Sequence, residues 1–545
     1  MKFFLSQIVI LIFVFTSGKA SAQQWNWVSA SGSSQYENAK GLTHDANHNT
    51  YVVGTFEGSI FSGSNIIYSH GGVDIFIAKY DNVGNLIWAR SGGGVGNDGD
   101  YNMSVTFDEL DNIHVACRTT GDVIFEQDTL IGDFDNMTLL KYQSNGNLVY
   151  ARVYGGFSYD AASDMDIDIQ GNIYVTGGFH STLDFGSVIL TGLNHGDIYL
   201  AKFDAQGNII WARQAGGISY DNSGGVAADT FGNVYITGYF SGSAMFDAIP
   251  LNSSSGTAAF IAKYDSSGNI KWVKNLNGVG LYESGDRIDV DETGKIYALG
   301  KFTNSVVIGS NTYISHGMTD MYLTKLDQNG NFIWVKTFGG SGEDSGYDIK
   351  VVGQGNHFLT GSFSDTSYFD TNTLISNGDA DIFVLLLDDN GNVQWSKQSG
   401  GAGDDIGWGI DADGTNECFV SGSFSNTVTF DTFSKSSIGN TDLFVGRIIV
   451  NSNGINSVSN NYAFNVFPNP VKSNGKITLH SNQYKLDGIF YIYDAIGKMV
   501  LSESLNSGLV DQIIKLPADM TPGIYFIHIF NKNGINSIIK IFVAE

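Results

Sequence analysis

The sequence predicts an all-β protein, a seven-bladed β-propeller followed by a small β-sandwich. Three observations support this: a repeat of about 61 residues, alternating segments broken by Asn-Gly turns, and a change of composition after residue 450. The aromatic anchors of the repeat lie 61 or 62 residues apart, at Trp27, Trp88, Tyr150, Trp211, Trp272, Trp334 and Trp395. A long fixed period indicates one supersecondary unit whose copies bury their apolar faces against one another.

The copy that follows Trp334 shows the four strands of one blade. Residues 347–352 and 357–363 alternate between apolar and polar, residues 381–387 are mostly apolar, and 393–397 follow the turn Asp388–Asn392. Alternation interrupted by Asn-Gly turns is the signal of antiparallel hairpins. Residues 368–375 predict an extra hairpin between the second and third strands. This hairpin explains why the period exceeds the usual propeller repeat of about 40–45 residues.

The two ends of the repeat region complement each other. The last copy has no aromatic fourth strand after residues 444–450, whereas Trp25–Ala30 has the pattern of a fourth strand with no third strand before it. Pairing the two would close a ring and remove two sheet edges at once. An open row of sheets, a solenoid, is the alternative. We therefore expect the N-terminal strand to complete the last blade.

The flanking segments differ from the repeats. Lys2, the apolar run 3–16 and Ala20-Ser21-Ala22 are typical of a secretory signal peptide, residues 1–22. The propeller is predicted for residues 23–450 and a linker for 451–462. Residues 463–545 hold four of the five prolines and six new strand patterns, which predict a separate β-sandwich. No apolar run in the mature chain is long enough for a transmembrane span.

Composition narrows the class of partner. The chain has 55 Asp+Glu against 29 Lys+Arg, a formal net charge of −26 that the repeats carry almost entirely. This charge argues against binding nucleic acid or anionic membranes. Cys117 and Cys418 lie in different repeats within apolar strand patterns, and we expect both to be small buried residues rather than metal ligands.

One acid recurs in the loop that follows each anchor. The seven residues are Glu37, Asp98, Asp160, Asp221, Glu283, Asp344 and Asp405. Equivalent positions in a propeller would place them around one mouth of the channel, beside the aspartates that open the third strands. They are candidate ligand-binding residues. Capping of the glycine-rich loops, a calcium site, for which six to eight oxygen ligands are typical, and binding of an organic cation or a glycan all stay open.

Other recurrent residues carry weaker signals. Tyr36, Tyr159, Tyr220 and Tyr282 directly precede the acids, where they could stack on sugars or pack the loop. His70, His195 and His316 lie at unequal offsets, which disfavours a histidine ring. The chain has no catalytic motif of the common hydrolases, and seven similar copies argue against one asymmetric catalytic centre. The acid pairs Asp404–Asp405 and Asp98 with Asp100 are the remaining candidates for glycoside hydrolysis.

The repeat resembles the bacterial SBBP β-propeller family. The residues that carry the resemblance are Asp381–Val384, the turn Asp388–Asn392, the loop Gly339–Asp344, and Asp229–Tyr235 with Thr237-Gly238. It covers nearly all of residues 25–450. The third copy departs from the pattern at Tyr150 and Cys117–Thr119, and the fourth at Ala258. The family implies the fold but no particular activity.

The tail resembles the type A C-terminal sorting domain of the type IX secretion system. Phe467–Pro470, Tyr493–Lys498, Pro522–Phe526 and Ile538–Val543 carry this resemblance. The residues of the sorting motif are Pro468, Asn469, Pro470, Gly497, Lys498, Gly523, Tyr525 and Lys540. The resemblance implies an immunoglobulin-like sandwich read by the outer-membrane translocon. It also implies a Gram-negative host and cargo that is released or attached to the surface after passing the periplasm.

Together these features predict a secreted or surface-attached propeller that acts as a binding or interaction protein, with no cofactor except possible calcium. The ligand would be a glycan or protein on the acidic propeller face. An extracellular polysaccharide-degrading enzyme and a structural protein of the cell coat are the alternatives.

Overall fold

A computed structural model of the chain describes residues 21–452 except 62–64, 100–102, 109, 194 and 281, and residues 464–544 except 468–470, 473, 482–487, 495–497, 506–510, 519 and 532–535. The predicted all-β class is confirmed: the described residues form β-strands and no α-helix. Among these residues no helix long and apolar enough to cross a membrane occurs. The signal-peptide residues 1–20 and most of the predicted linker lie outside the described residues.

Each copy of the repeat supplies four antiparallel strands, here called a, b, c and d in chain order. Strands a are Asn38–His44, Ser104–Phe107, Asp160–Ile167, Asn222–Ala228, Glu283–Val290, Asp344–Val352 and Asp405–Asp411. Strands b are Thr50–Ile60, Ile113–Thr120, Ile173–Phe179, Val234–Phe246, Ile296–Phe302, Asn356–Phe369 and Glu417–Phe424. Strands c are Ile67–Tyr80, Asp135–Tyr142, Asp197–Phe203, Ile249–Tyr264, Asp320–Leu326, Asn372–Leu387 and Asp442–Ser452. Strands d are Leu86–Gly94, Leu148–Tyr154, Ile209–Gly217, Ile270–Gly278, Phe332–Gly340, Val393–Gly401 and, from the N-terminus, Ser21–Ser31.

The extra hairpin joins neighbouring copies. In the first, fourth and sixth copies it continues strands b and c. In the other copies it is separate, formed by Val123–Phe125 with Asp128–Leu130, Thr182–Asp184 with Ile189–Thr191, Ser305–Ile308 with Asn311–Ile314, and Thr427–Phe430 with Phe433–Ser436. Its first strand pairs with strand d of the preceding copy, as where Gly340 faces Ser367. A Cβ on Gly340 would lie 1.7 Å from the Thr366 oxygen, so this close approach requires glycine.

The N-terminal strand occupies the fourth place in the sheet of the last copy, beside Asp442–Ser452. The backbone N–H of Trp25 donates to Asp431 Oδ2 at 2.9 Å, and its indole packs edge-on against Phe430 with ring centroids 4.9 Å apart. Trp25 and Trp27 are both buried. The first and last parts of the repeat region therefore share one apolar core.

The aromatic anchors fasten each copy to the next. The indole of Trp211 donates to Ser266 O at 3.1 Å, in the c–d turn of the following copy, and Trp27, Trp88, Trp272 and Trp334 make the equivalent bond. Tyr150 and Trp395 are the exceptions, since the buried Tyr150 hydroxyl and Trp395 Nε1 find no partner among the described residues. For Trp395 the reason is topological: the last copy takes its strand d from the N-terminus, so no c–d turn follows its strand c.

The described tail residues form a second compact unit of two sheets. One sheet contains Phe464–Phe467, Lys476–Ser481 and Asp511–Lys515, and the other Val471–Lys472, Gly488–Asp494, Met499–Leu505, Gly523–Asn531 and Asn536–Ala544. Ile477 and Ile514 from the first sheet share a core with Phe490 and Ile527 from the second. The first and second strands of the unit, at residues 464–467 and 471–472, were not predicted because prolines separate them in the sequence.

Candidate functional site

The seven predicted acids stand at or beside the beginning of each strand a, and all are 0–3% exposed. Asp98 accepts the backbone N–H groups of Gly94 at 2.8 Å and Thr120 at 2.6 Å. The carboxylates of Asp160, Asp221, Asp344 and Asp405 accept the equivalent glycine N–H at 2.6–2.7 Å, and Glu37 accepts the Ser33 N–H at 2.8 Å. These carboxylates therefore cap the glycine-rich loops from within the protein.

The same acids also join neighbouring copies through the backbone. The N–H of Asp98 donates at 2.6 Å to Val73 O, which directly precedes Asp74 in strand c of the preceding copy. Asp344 and Glu37 donate in the same way to Thr319 O and Thr441 O. Because the oxygens face protein N–H groups rather than solvent, the geometry fits loop capping, one of the alternatives that the sequence leaves open. Ligand binding or calcium binding at these positions stays a prediction.

Each loop acid except Glu283 also lies near the aspartate of the preceding strand c. A Cβ on Gly93 would lie 2.5 Å from Asp74 Cγ and 2.7 Å from Asp98 Oδ2, so both carboxyl groups crowd one glycine. Burial, with the neighbouring carboxylate as a further cause, raises the pKa of Asp98 to about 6 and that of Asp160 to about 8. Both Asp381 Oδ1 and Asp405 Oδ1 are buried without a hydrogen-bond partner in the part of the chain that the structure describes. A proton shared by such a pair would remove one of the two like charges and would give an unpartnered oxygen a hydrogen bond.

The joint between the fourth and fifth copies differs. Ala258 stands where other copies have the strand-c aspartate, and the loop acid there is Glu283. Both oxygens of Glu283 are buried without a hydrogen-bond partner among the described residues, and burial raises its pKa to about 7. The ring of acids is therefore not equivalent in all copies.

One cavity of about 130 Å³ is lined by strand a of every copy. Five aspartates that sequence reasoning passed over line it, and each accepts a backbone N–H from strand a of another copy. Asp164 accepts from Val226, Asp166 from Ala228, Asp289 from Val351, Asp348 from Ile410 and Asp411 from His44, at 2.7–3.0 Å. The first four pairs lie 62 residues apart, one repeat period, and the last joins the final copy to the first. Isolated charges within apolar strand patterns were the signal in the sequence.

Basic residues are held among these aspartates. Lys350 Nζ lies 3.3 Å from Asp411 Oδ1, and Arg287 Nε lies 3.9 Å from Asp348 Oδ1. The Asp411 carboxylate, followed by those of Asp289 and Asp166, raises the pKa of Lys350 despite burial. The interior of the strand-a cavity is thus an ion-pair network rather than a free acidic surface.

A second cavity of about 220 Å³ carries aromatic side chains. Trp408 and Tyr347 pack with ring centroids 4.4 Å apart, and Lys40 Nζ lies 3.5 Å over the Trp408 ring. Asp286 contributes a buried oxygen without a partner among the described residues, and Lys301 has its pKa raised chiefly by Asp286. The residues Lys40, Asp286, Tyr347 and Trp408 occupy the equivalent position of four different copies, the bulge of strand a.

A third cavity, about 310 Å³, continues from the second because both are lined by Asn222 and Tyr239. Tyr159 and Tyr220 line it with His180 between them, at ring-centroid distances of 5.2 and 6.3 Å from His180. We call the two cavities together the aromatic groove; it runs from strands a of the last copies to the loops of the third and fourth.

The remaining predicted residues are dispersed. Tyr36 and Tyr282 are exposed and line neither cavity of the aromatic groove. His70 and His316 bond the strand-c aspartates Asp74 and Asp320, whereas His195 packs against Tyr220. The three histidines therefore make different local contacts and do not form equivalent members of a ring. Cys117 and Cys418 are buried free thiols, as expected.

The sorting-motif residues fall into two groups. Pro468, Asn469, Pro470 and Gly497 lie outside the described residues. Of the others, Tyr525 is buried in the tail core and its hydroxyl donates to Thr521 O at 2.9 Å, and the Lys498 N–H donates to Asp494 Oδ1 at 2.9 Å. Gly523 and Lys540 lie on paired strands of the five-stranded sheet.

Family models match both parts of the chain. Residues 465–544 match the model described as a secretion system C-terminal sorting domain, and residues 210–239 match the β-propeller repeat model, SBBP. The tail is a type IX sorting domain. The protein is therefore exported to the cell surface or the extracellular space, and its tail interacts with the secretion system.

Comparisons over longer stretches give distant matches. The uncharacterized WD repeat-containing protein L264 of Acanthamoeba polyphaga mimivirus is 23% identical over 354 residues, covering 52% of this chain and 25% of L264. The regulatory protein FlaEY of Caulobacter vibrioides is 23% identical over 299 residues, covering 48% of this chain and 30% of FlaEY. The chain thus spans less than a third of the length of these relatives.

Solved structures also match at low similarity. PorZ, an essential surface component of the type IX secretion system of Porphyromonas gingivalis, is 10% identical with a TM-score of 0.26, over 95% of this chain and 100% of PorZ. YCF48 bound to D1 peptide is 9% identical with a TM-score of 0.36, over 79% of this chain and 99% of YCF48. These scores are too low for the role of either protein to bear on this chain.

Proposed function

We propose that the protein is an exported seven-bladed β-propeller that binds extracellular glycans through the aromatic groove. Two contacts support the closed ring: the N-terminal strand lies beside Asp442–Ser452, and Asp411 accepts the N–H of His44 from the opposite end of the repeat region. The strand-a cavity supports it too, because every copy contributes to its lining. The tail is proposed to be an immunoglobulin-like sandwich.

The aromatic groove is the observation that supports a glycan as the ligand. Ligand sites combine apolar and aromatic walls with a few well-placed polar groups. Tyr220 is 61% exposed, so its face is open to a ring-shaped ligand. Asn222 and Asp286 offer acceptors for hydroxyl groups, since each has a buried side-chain oxygen with no hydrogen-bond partner among the described residues. A sugar has an apolar ring face and hydroxyl edges, which match these two kinds of surface.

A polysaccharide-degrading enzyme fits the described residues less well. Asp405 of the predicted Asp404–Asp405 pair is fully buried and bonded to the Gly401 N–H, at 2.7 Å. The aspartates of the strand-a cavity are likewise engaged by backbone N–H groups of neighbouring copies. Glycoside hydrolysis requires two carboxyl groups that flank an open substrate site. Binding without chemistry is therefore the function that the geometry favours.

A glycan array with and without calcium tests the proposal. Y220A and Y239A should lose most of the binding, because they remove the aromatic faces on which the apolar face of a sugar ring would pack. The matched control is Y282A, which removes the equivalent exposed tyrosine one repeat later. Equal binding by Y220A, Y239A and the unaltered protein would exclude the groove. Glycan binding that requires calcium would instead favour the seven loop acids as the binding site.

A further inference from the structure

The joint between the last and first copies gathers four substitutions at the a–b turns, two in each of these copies. His44 ends strand a where the third and fourth copies have Ile167 and Ala228. His48 occupies the turn position of Gly171 and Gly232. In the last copy Glu417 and Phe419 occupy the positions of Asn233 and Tyr235 in the fourth copy. The strand register gives this equivalence, because Phe419 pairs with Asp411 as Tyr235 pairs with Ala227.

Because of these changes, one aspartate of the last copy lacks the side-chain hydrogen-bond donors that its equivalent in the fourth copy has. In the fourth copy Asp229 accepts bonds from Asn233 N, Asn233 Nδ2 and the Tyr235 hydroxyl, at 2.8–2.9 Å. The equivalent Asp413 faces Glu417 and Phe419, which offer neither an amide side chain nor a hydroxyl. Its side chain is 59% exposed and lies 3.9 Å from His44 Nε2.

The result is a compact set of ligand atoms. One ligand atom from each of His44, His48 and Asp413 lies within 4.8 Å of the other two. A tetrahedral zinc ion with bonds of about 2.0–2.1 Å requires ligand atoms about 3.3 Å apart. The exposed Asp413 side chain can move the remaining distance.

Both histidines have a carboxylate beside Nδ1. Asp411 Oδ2 lies 2.8 Å from His44 Nδ1 in hydrogen-bond geometry. Glu417 Oε1 lies 3.0 Å from His48 Nδ1, at ion-pair distance though out of line for a hydrogen bond, and Arg447 holds the other Glu417 oxygen. Metal-bound histidines commonly have a carboxylate on the second ring nitrogen, which fixes the ring and leaves the other nitrogen for the metal.

The backbone supplies an independent observation. His48 has a φ of 60° at a position where Gly171 has 77° and Gly232 has 80°. A non-glycine residue is uncommon in this conformation, and unusual backbone conformations cluster at functional positions. The second copy also has a side chain there, Asp111 with a φ of 58°, so the turn admits a non-glycine residue but does not require the histidine.

We propose that His44, His48 and Asp413 bind a divalent zinc-type ion, with Asp411 and Glu417 as positioning residues. Two imidazoles and a carboxylate are typical zinc ligands, and three protein ligands leave one position for water or a further group. The ion would bridge strand a of the first copy and the a–b turn of the last. This proposal is independent of glycan binding, because the a–b turns lie at the other end of strand a from the acid loops.

Zinc chloride added to the untagged full chain after chelator treatment provides the test. Calorimetric titration should give one ion per chain, and zinc should raise the melting temperature because it binds the native state. H48G introduces the glycine that the third, fourth and fifth copies have at this position, so it should fold at least as stably without metal, yet lose the zinc-dependent rise. D413N should behave likewise, and E417Q should weaken binding by about 10-fold.

The matched control is H316A, which removes an exposed histidine that also lies beside an aspartate, 3.3 Å from Asp320. It should keep the full zinc response. Equal zinc affinity in H48G, D413N and the unaltered chain, or no rise in melting temperature of the unaltered chain, would overturn the proposal.

Discussion

Individual carboxyl groups decide how the repeats are joined. The loop acids are buried, bonded to backbone N–H groups, and placed beside a second carboxyl group from the preceding copy. Burial raises the pKa of Asp160 and Asp405 to about 8 and that of Asp221 and Asp344 to about 7. A net charge of −26 therefore overstates the charge that the folded protein carries near neutral pH.

These pKa values predict a pH-dependent stability. A folded pKa above the unfolded one means that the native state keeps a proton that the unfolded chain has released, so stability falls as pH rises. For Asp160 the loss should extend from about pH 4, its unfolded pKa, to about pH 8. We expect the melting temperature to decrease between pH 5.5 and 8.5, and D160N to make this decrease smaller.

A suitable control is D204N, since Asp204 caps an exposed turn and its hydrogen bonds to Asn208 and Gln206 outweigh burial to lower its pKa. That variant should keep the slope of the unaltered protein over the same pH range. A slope in D160N identical to that of the unaltered protein would show that Asp160 titrates normally.

At the scale of elements, the N-terminal strand has the largest consequence. It fills the fourth place in the last sheet, and Trp25 packs in the core formed by Phe430 and Phe444. The orphaned Nε1 of Trp395 reflects the same arrangement, because a strand from the other end of the chain replaces a turn. The strand closes the repeat region without a covalent link at that point.

Replacing Trp25 should therefore destabilise the whole repeat region. W25A removes a side chain that is 4% exposed, and such a deletion in a core costs about 3–5 kcal/mol. N26A, on the exposed face of the same strand, should change the free energy of unfolding by less than about 0.5 kcal/mol. Denaturant unfolding of both variants compares them directly. Similar midpoints would mean that the strand contributes little to closure.

At the scale of the whole molecule, the repeat region and the tail are separate compact units with different tasks. The tail core forms from its own residues, such as Ile477, Phe490 and Ile527. The tail matches a sorting domain, whereas the groove and the proposed metal site lie entirely in the repeats.

Removing the tail should separate export from binding. We expect residues 1–455 to give a folded repeat region that stays in the periplasm of a host with a type IX system, because the sorting signal is lost. Fractionation of cells and medium, with the full chain as control, measures this. Appearance of the truncated chain in the medium would show that residues 456–545 are dispensable for export.

Sequence alone determined the repeated strands, their turns and the sorting tail. These features follow from local physics: alternation sets which face of a strand is buried, and Asp and Gly in the c–d turns bond within five residues of chain. For example, Asn392 N–H donates to Asp388 Oδ1 at 2.9 Å. Such patterns recur with every copy and can be recognised without knowing which copies touch.

Only the tertiary structure decided what the charged residues do. Whether Asp98 faces solvent or a glycine loop depends on the preceding copy, and the partner of Asp164 lies 62 residues away. Asp411 and His44 meet across 367 residues because the N-terminal strand returns to the last sheet. The aromatic groove and the proposed metal ligands lie where different copies face one another, so their geometry depends on the packing of copies rather than on any single repeat.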